Sequence, residues 1–169
     1  MHALVKLAKE TVECYIREHR ILEIKEDELI PELKARAGVF ICLKIKGDLR
    51  GCIGTFQPTE PTIAHEAVRN AISAATHDPR FPPVRIDELD TIEYTVDVLL
   101  PPEPVQSMSE LDPARYGVIV KSGGKRGLLL PDLEGVDTPE YQVSIARQKA
   151  GIPAGAPVEL FRFEVKRYH

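Results

Sequence analysis

The chain has 169 residues, 43% of them hydrophobic and 28% charged, with a formal net charge of -4. That length suits one domain, or one domain with a small lobe, and is enough to build a real core. The acidic balance and the lack of tryptophan or an aromatic stacking run argue against nucleic acid and against an anionic membrane surface. No apolar run approaches the ~20 residues of a membrane span. The start, Met1-His2-Ala3-Leu4-Val5-Lys6, leads into alternating charges and not into a signal-type apolar block, so the chain is expected to stay in the cytoplasm. Cysteines at 14, 42 and 52 are odd in number and show no disulfide-framework spacing, which suits a reducing compartment.

Residues 2–20 read as a helix, with Leu4, Leu7, Ala8, Thr11, Cys14 and Tyr15 on one stripe. Cys14 is therefore read as core. Residues 21–37 are a charged connector around Pro31. Val39, Phe40, Ile41, Cys42 and Leu43 are continuously apolar, so a strand over 39–45 with both faces covered is expected, with Cys42 as core. Gly47-Asp48 is read as a short hairpin turn.

The return strand, Leu49-Arg50-Gly51-Cys52-Ile53-Gly54, is unusual. Extended, it puts Leu49, Gly51 and Ile53 on one face and Arg50, Cys52 and Gly54 on the other. Leu49 and Ile53 are then core anchors. Glycine weakens a strand and often marks a bulge or a close approach of ligand or backbone. Two readings follow for the thiol: a structural cysteine on a glycine-bulged strand, or a thiolate favoured by the adjacent Arg50.

Pro61 opens a helix to Thr76, with Ile63, Ala64, Ala67, Val68, Ala71, Ile72 and Ala75 inward and His65, Glu66, Arg69, Asn70 and Ser73 outward. His65-Glu66 lacks the second histidine of a zinc H-E-x-x-H motif, so no metal is expected. His77 sits at the helix end, where a cation favours the dipole. Asp78-Pro79-Arg80-Phe81-Pro82-Pro83 is a stiff loop. It is either a helix stop with a local Asp–Arg pair or a pocket wall presenting Asp78, Arg80 and Phe81. Because strand and helix are of similar length and the link between them is short, the helix is expected to fold back over the strand. That brings Asp78 or Arg80 close to Arg50 and Cys52.

Residues 92–100 alternate as an antiparallel strand with one wet face. Ser122-Gly123-Gly124-Lys125-Arg126 lies between two strands and lacks Walker spacing, so a β-hairpin turn is expected. Thr138–Ala150 reads as a helix with Tyr141, Ile145 and Ala146 inward and Gly151 as its cap. Residues 158–166 form a last strand, placed in one sheet with 39–45, 49–54 and 92–100. No internal repeat is visible. Interspersed helices and antiparallel strands make the class α+β.

The hexapeptide resembles the signature of the AMMECR-one domain family, of the AmmeMemoRadiSam system protein A type. Gly38-Val39-Phe40, Asp78-Pro79-Arg80-Phe81-Pro82-Pro83 and Gly123-Gly124-Lys125-Arg126-Gly127-Leu128-Leu129-Leu130-Pro131 are similar to its other signature stretches. The likeness covers most of the chain, 1–169 as a single domain. It implies an α+β fold with an antiparallel-dominated sheet packed with helices, as a main lobe with a smaller lobe beside it. Many microbial members carry a cysteine just before Lys-Ala-Gly; in this chain the sequence is Arg147-Gln148-Lys149-Ala150-Gly151, so no role of that cysteine carries over.

Two functions stand side by side. In one, Cys52 is a nucleophile or covalent carrier, Arg50 lowers its pKa and binds an anionic group, and Gly51, Gly54, Asp78, Arg80 and Phe81 shape the substrate site. His65 and His77 are the options for a general base, and neither has a motif around it. In the other, the pocket holds a small molecule or protein without chemistry. By resemblance, the partners would be a Memo-like protein and a radical-SAM protein. No cofactor is expected, since the chain has no C-x₃-C-x₂-C motif and too few cysteines for an iron–sulfur centre.

Overall fold

The computed structural model describes the whole chain, Met1–His169. Its contacts divide it into two compact units, Met1–Leu99 with Lys166–His169, and Leu100–Val165. The class is α+β, with two four-stranded antiparallel sheets and helices packed on them.

In the first unit, helix α1 (Ala3–Glu18) and helix α3 (Ile63–Thr76) lie on one face of a sheet. A short helix α2 (Pro31–Lys34) starts on a proline, whose fixed φ suits a first turn. The sheet runs in the order β2 (Asp48–Thr55), β1 (Val39–Ile45), β3 (Ile92–Leu99), β8 (Val165–Tyr168). Val39, Ile41, Leu43 and Val96 point to the helices and are fully buried with Leu4, Ala8, Ala67 and Ala71. The many alanines of α3 let it approach the strands closely.

The hairpin turns at Lys46 and Gly47, both at positive φ, one residue earlier than the sequence suggested. Leu43 pairs with Gly51 but Lys44 pairs with Leu49, so Arg50 is an extra residue in the ladder. This bulge cancels the simple alternation expected for the hexapeptide. Leu49 is not a core anchor; it is 40% exposed. Ile53 does pack against the core.

Glu66 and Asn70 on α3, expected outward, are buried. Glu66 accepts the N–H and hydroxyl of Thr59, which fixes the loop before the helix. The Asn70 amide donates to the Val39 carbonyl at 2.9 Å and to the Thr55 hydroxyl at 3.1 Å. Helical periodicity cannot distinguish such partnered polar groups from solvated ones.

The second unit has the strand order β4 (Glu103–Val105), β7 (Glu159–Phe163), β5 (Gly117–Ser122), β6 (Lys125–Leu129), with helix α4 (Pro139–Ala150) against β5 and β6. The expected single strand over 158–166 is two strands. It breaks at Glu164, so β7 belongs to this sheet and β8 to the first. Tyr141 is 50% exposed and not inward; Gln142, Val143 and Ala146 are the buried residues of α4.

The two units repeat one design that the sequence did not display. Gly51 lies opposite Leu43 and under the Ala74 carbonyl of α3; Asn70, one turn before Ala74, holds the Val39 carbonyl. In the second unit, Gly127 lies opposite Val120 and under the Ala146 carbonyl of α4; Gln142, one turn before Ala146, holds the Tyr116 carbonyl. Each unit is thus a hairpin, a helix and a third antiparallel strand, joined by the same glycine contact and the same side-chain amide bond.

Candidate functional site

The glycine of the hexapeptide sets the site. A Cβ on Gly51 would overlap the Ala74 carbonyl oxygen, so α3 rests directly on the β2 backbone. The next residue, Cys52, therefore faces away from the helices. Gly54, two further on, lies under the Phe40 ring on that same side.

Cys52 is not a lone thiol. It stands directly opposite Cys42 in the ladder, with Cα atoms 4.1 Å apart, and the two are joined as a disulfide. That corrects the reading of Cys42 as core and of three unpaired cysteines. Both sulfurs belong to half-buried residues on the helix-free side of the sheet. Cys14, also expected in the core, is free and half-buried on α1.

A close cross-strand pair of this kind leaves the outer N–H and C=O of the edge strand without a ladder partner. In β2 these belong to Cys52, and the Asp78–Phe81 loop satisfies them, in the place that the helix and strand lengths predict for it. The Cys52 N–H donates to Asp78 Oδ2 at 3.0 Å, and Arg80 Nη2 donates to the Cys52 carbonyl at 3.2 Å. Asp78 and Arg80 are also bonded to each other, Nε to Oδ1 at 3.0 Å and Nη2 to Oδ2 at 2.8 Å. The pair stands in for a missing strand at one residue. The Arg80 guanidinium holds the Asp78 carboxyl well below the usual carboxylate range, with help from the Cys52 and Arg80 N–H groups and against burial. The Asp78 side chain is 1% exposed, while that of Arg80 is 54% exposed. Phe81 lies 5.5 Å from the Arg80 guanidinium, which its ring supports.

Arg50 is placed differently from expectation. The bulge aims it at the Pro82–Glu88 segment and not at the cysteine. It grips Glu88 with two bonds, 2.8 and 3.0 Å, and donates to the carbonyls of Pro82 at 2.9 Å and Pro83 at 3.2 Å. Its side chain is 13% exposed. The Arg50 hydrogen bonds lower the Glu88 pKa. Arg50 is thus a clamp for the proline-rich loop, with four of its N–H donors engaged there. Arg50→Lys removes the fork that reaches both Glu88 and the carbonyls, and is expected to cost about 2 kcal/mol in urea denaturation followed by circular dichroism.

Two features of this face were missed by sequence reasoning. Asp97 on β3, opposite Phe40, is buried and paired with Arg167 at 2.7 and 2.8 Å. Its partner is distant in sequence, so alternation alone marked it as a wet position. The Cys42 partner was also missed; the turn alone sets 42 against 51, and it is the extra residue Arg50 that brings 42 opposite 52. His65 and His77, the candidate bases, bond instead to Thr62 and Thr76 at the ends of α3. Among all residues, no group of three or more histidine, cysteine or carboxylate side chains could hold a metal. No helix is long and apolar enough to cross a membrane.

In the second unit a cavity of about 340 Å³ lies among Pro101, Glu103, Tyr116, Arg162 and Phe163. Its cation is engaged: Arg162 bonds Glu103 and the Glu110 carbonyl and lies over the Tyr116 ring.

The model of the AMMECR1 family matches residues 5–168. A Thermotoga maritima protein is 57% identical, over 99% of this chain and 97% of its own. A Clostridium acetobutylicum protein is 47% identical over 97% of this chain, which spans only 35% of that longer protein. Among solved structures, the uncharacterized protein PH0010 from Pyrococcus horikoshii is similar with a TM-score of 0.88 and 32% identity, over 97% of this chain and 88% of that one.

Proposed function

The chain belongs to the AMMECR1 family, and we propose that within it Cys52, when reduced, is the working group of a thiol-dependent site on the helix-free face of the first sheet. The observation that carries this reading is the placement of Cys52. The strand gives up a side chain at Gly51 so that the helix can pack, and the thiol is left half-buried on the opposite side, the side on which the Phe40 ring covers Gly54. An anionic substrate or modified group would find its cation in Arg80 and not in Arg50. The Arg80 guanidinium is half exposed, and its Nη1 lies outside the bonds to Asp78 and Cys52.

The test is alkylation of the reduced protein with iodoacetamide and with iodoacetate. Cys52 is expected to react faster than Cys14, the internal reference. Its ratio of iodoacetate to iodoacetamide reaction is expected to exceed that of Cys14 and to fall in Arg80→Ala. Equal rates at Cys52 and Cys14 would remove the reading.

A second reading has its own support. The Clostridium acetobutylicum relative carries this domain as about a third of a longer chain. That favours a component working beside other units, such as a Memo-like and a radical-SAM protein. A stable complex with either purified protein on size exclusion would support it.

A further inference from the structure

We propose that Cys42 and Cys52 are a reversible dithiol–disulfide couple whose substrate class is a disulfide-bearing molecule. Cys52 is the sulfur that exchanges with the substrate, and Cys42 the one that resolves the mixed disulfide. The proposal rests on the thiol reading of Cys52 and adds its partner and its reaction.

Three observations carry it. The first is that the backbone, and not only the bond, holds the two sulfurs together. Pairing continues on both sides, Ile41 with Ile53 and Leu43 with Gly51, and β3 holds the other edge of β1, with Thr95 beside Cys42. The thiols therefore stay neighbours when reduced, and closing the bond costs little chain entropy.

The second is that the scaffold does not need the bond. The second unit makes the same hairpin with the same glycine and amide contacts. At the position of the cysteine pair it has Ile119 opposite Leu128, two apolar side chains. A disulfide kept for stability alone has no counterpart there.

The third is the asymmetry of the pair. β2 is the edge strand, bordered at Cys52 only by the Asp78 and Arg80 side chains, whereas Cys42 lies on β1 between β2 and β3. Asp78 and Arg80 close the edge itself at Cys52, so an incoming disulfide reaches Cys52 on the helix-free face at the rim of the sheet and then meets Cys42 as the resolving group.

The Cys52 thiolate attacks one sulfur of R–S–S–R′, forming the Cys52–S–S–R bond and expelling R′–S⁻. The Cys42 thiolate attacks the Cys52 sulfur, forming the protein disulfide and expelling R–S⁻. The protein loses two electrons and two protons, and the substrate becomes two thiols. Run backwards, the oxidised protein passes its disulfide to a dithiol.

The experiment uses the full chain, reduced in its native state, desalted and mixed with glutathione disulfide. Wild type is expected to form the Cys42–Cys52 bond and release two glutathione molecules, with the mixed disulfide only transient in acid-quenched samples. Cys42→Ser is expected to accumulate one glutathione on Cys52. Cys52→Ser is expected to form any adduct on Cys42 at least about tenfold more slowly. The Cys42→Ile/Cys52→Leu double variant copies the second unit and is expected to fold with an unchanged circular dichroism spectrum and to give the background rate of Cys14. If Cys42→Ser does not fold, the acid-quenched wild-type intermediate gives the same assignment. A wild-type Cys52–glutathione adduct that persists overturns the couple and leaves the thiol reading standing. A bond that native protein will not surrender to a dithiol also overturns the couple. Loss of the thiol reading itself is seen separately, as equal alkylation of Cys52 and Cys14.

Discussion

Asp78→Ala is expected to destabilise the protein by about 2–3 kcal/mol, although the residue lies in a loop. The side chain is almost fully buried and accepts four bonds: from the Cys52 N–H, from the Arg80 N–H, and from Arg80 Nε and Nη2. Removing it strands the Cys52 N–H at the sheet edge and leaves Arg80 without its counter-ion. Arg80 is half exposed and can rehydrate, which keeps the loss at the lower end of the range for a broken buried pair. Arg80→Ala leaves Asp78 with two backbone N–H bonds and is expected to cost less. The chain has no tryptophan, so urea melts are followed by circular dichroism.

The same carboxylate gives a pH dependence of known sign. The Arg80 hydrogen bonds lower the pKa of Asp78 in the folded protein. Its stabilisation is therefore fully present above the unfolded value of about 3.9 and is lost as pH falls from there toward the lower folded value. Wild type and Asp78→Ala are expected to differ by a constant amount from pH 5 to 7 and to converge below about pH 4. A gap that stays constant down to about pH 2.5 would mean that the carboxylate charge is not what holds Cys52.

How far the sequence foretold this arrangement differs from residue to residue. The Asp78–Arg80 loop was placed against Cys52 correctly, because two lengths and a short connection left little choice. The class was also legible, since hairpin turns and alternation are local signals. What failed was whatever depended on one residue of register or on a distant partner. The bulge at Arg50 shifted Leu49 to the surface and turned Arg50 from the thiol to Glu88. The strand glycines pointed to a bulge but did not say that Arg50 would be its extra residue. Asp97 and Arg167 lie far apart in the chain, and so do Asn70 and the Val39 carbonyl; each pair exists only once the sheet is built. The break at Glu164 was hidden because both halves of the last strand read as β.

The internal repeat escaped for a related reason. What the two units share is mainly contacts, with few identical residues. Asn70 corresponds to Gln142, Leu43 to Val120 and Cys42 to Ile119. The bulge also makes the first hairpin one residue longer from partner to glycine. Few residues are retained: the Arg-Gly pairs Arg50-Gly51 and Arg126-Gly127, and the alanines Ala74 and Ala146, whose carbonyls leave no space for a Cβ on either glycine. The disulfide has no equivalent and is the point at which the first unit departs from the common plan.

That comparison makes Gly51→Val and Gly127→Val the most damaging single substitutions predicted for the scaffold. At each site the obstructing atom is a backbone carbonyl oxygen, of Ala74 or of Ala146, and not the end of a flexible side chain. The helix has to move as a body. For α3 that movement pulls Asn70 from the Val39 carbonyl; for α4 it pulls Gln142 from the Tyr116 carbonyl. Overpacking alone costs about 1–3 kcal/mol, and an orphaned buried amide adds about 1–3 more. Each variant is expected to lose about 3 kcal/mol or more by these terms, close to the whole stability of a marginal domain. Gly124→Val is the control, because nothing stands within reach of a Cβ there and its φ is not left-handed. Native-state hydrogen exchange supplies the decisive detail. Gly51→Val is expected to speed exchange first in α3, β1 and β2, and Gly127→Val first in α4, β5 and β6. If Gly51→Val melts like wild type, then α3 does not rest on the β2 backbone at Gly51, and helix packing is not what turns Cys52 to the opposite face of the sheet.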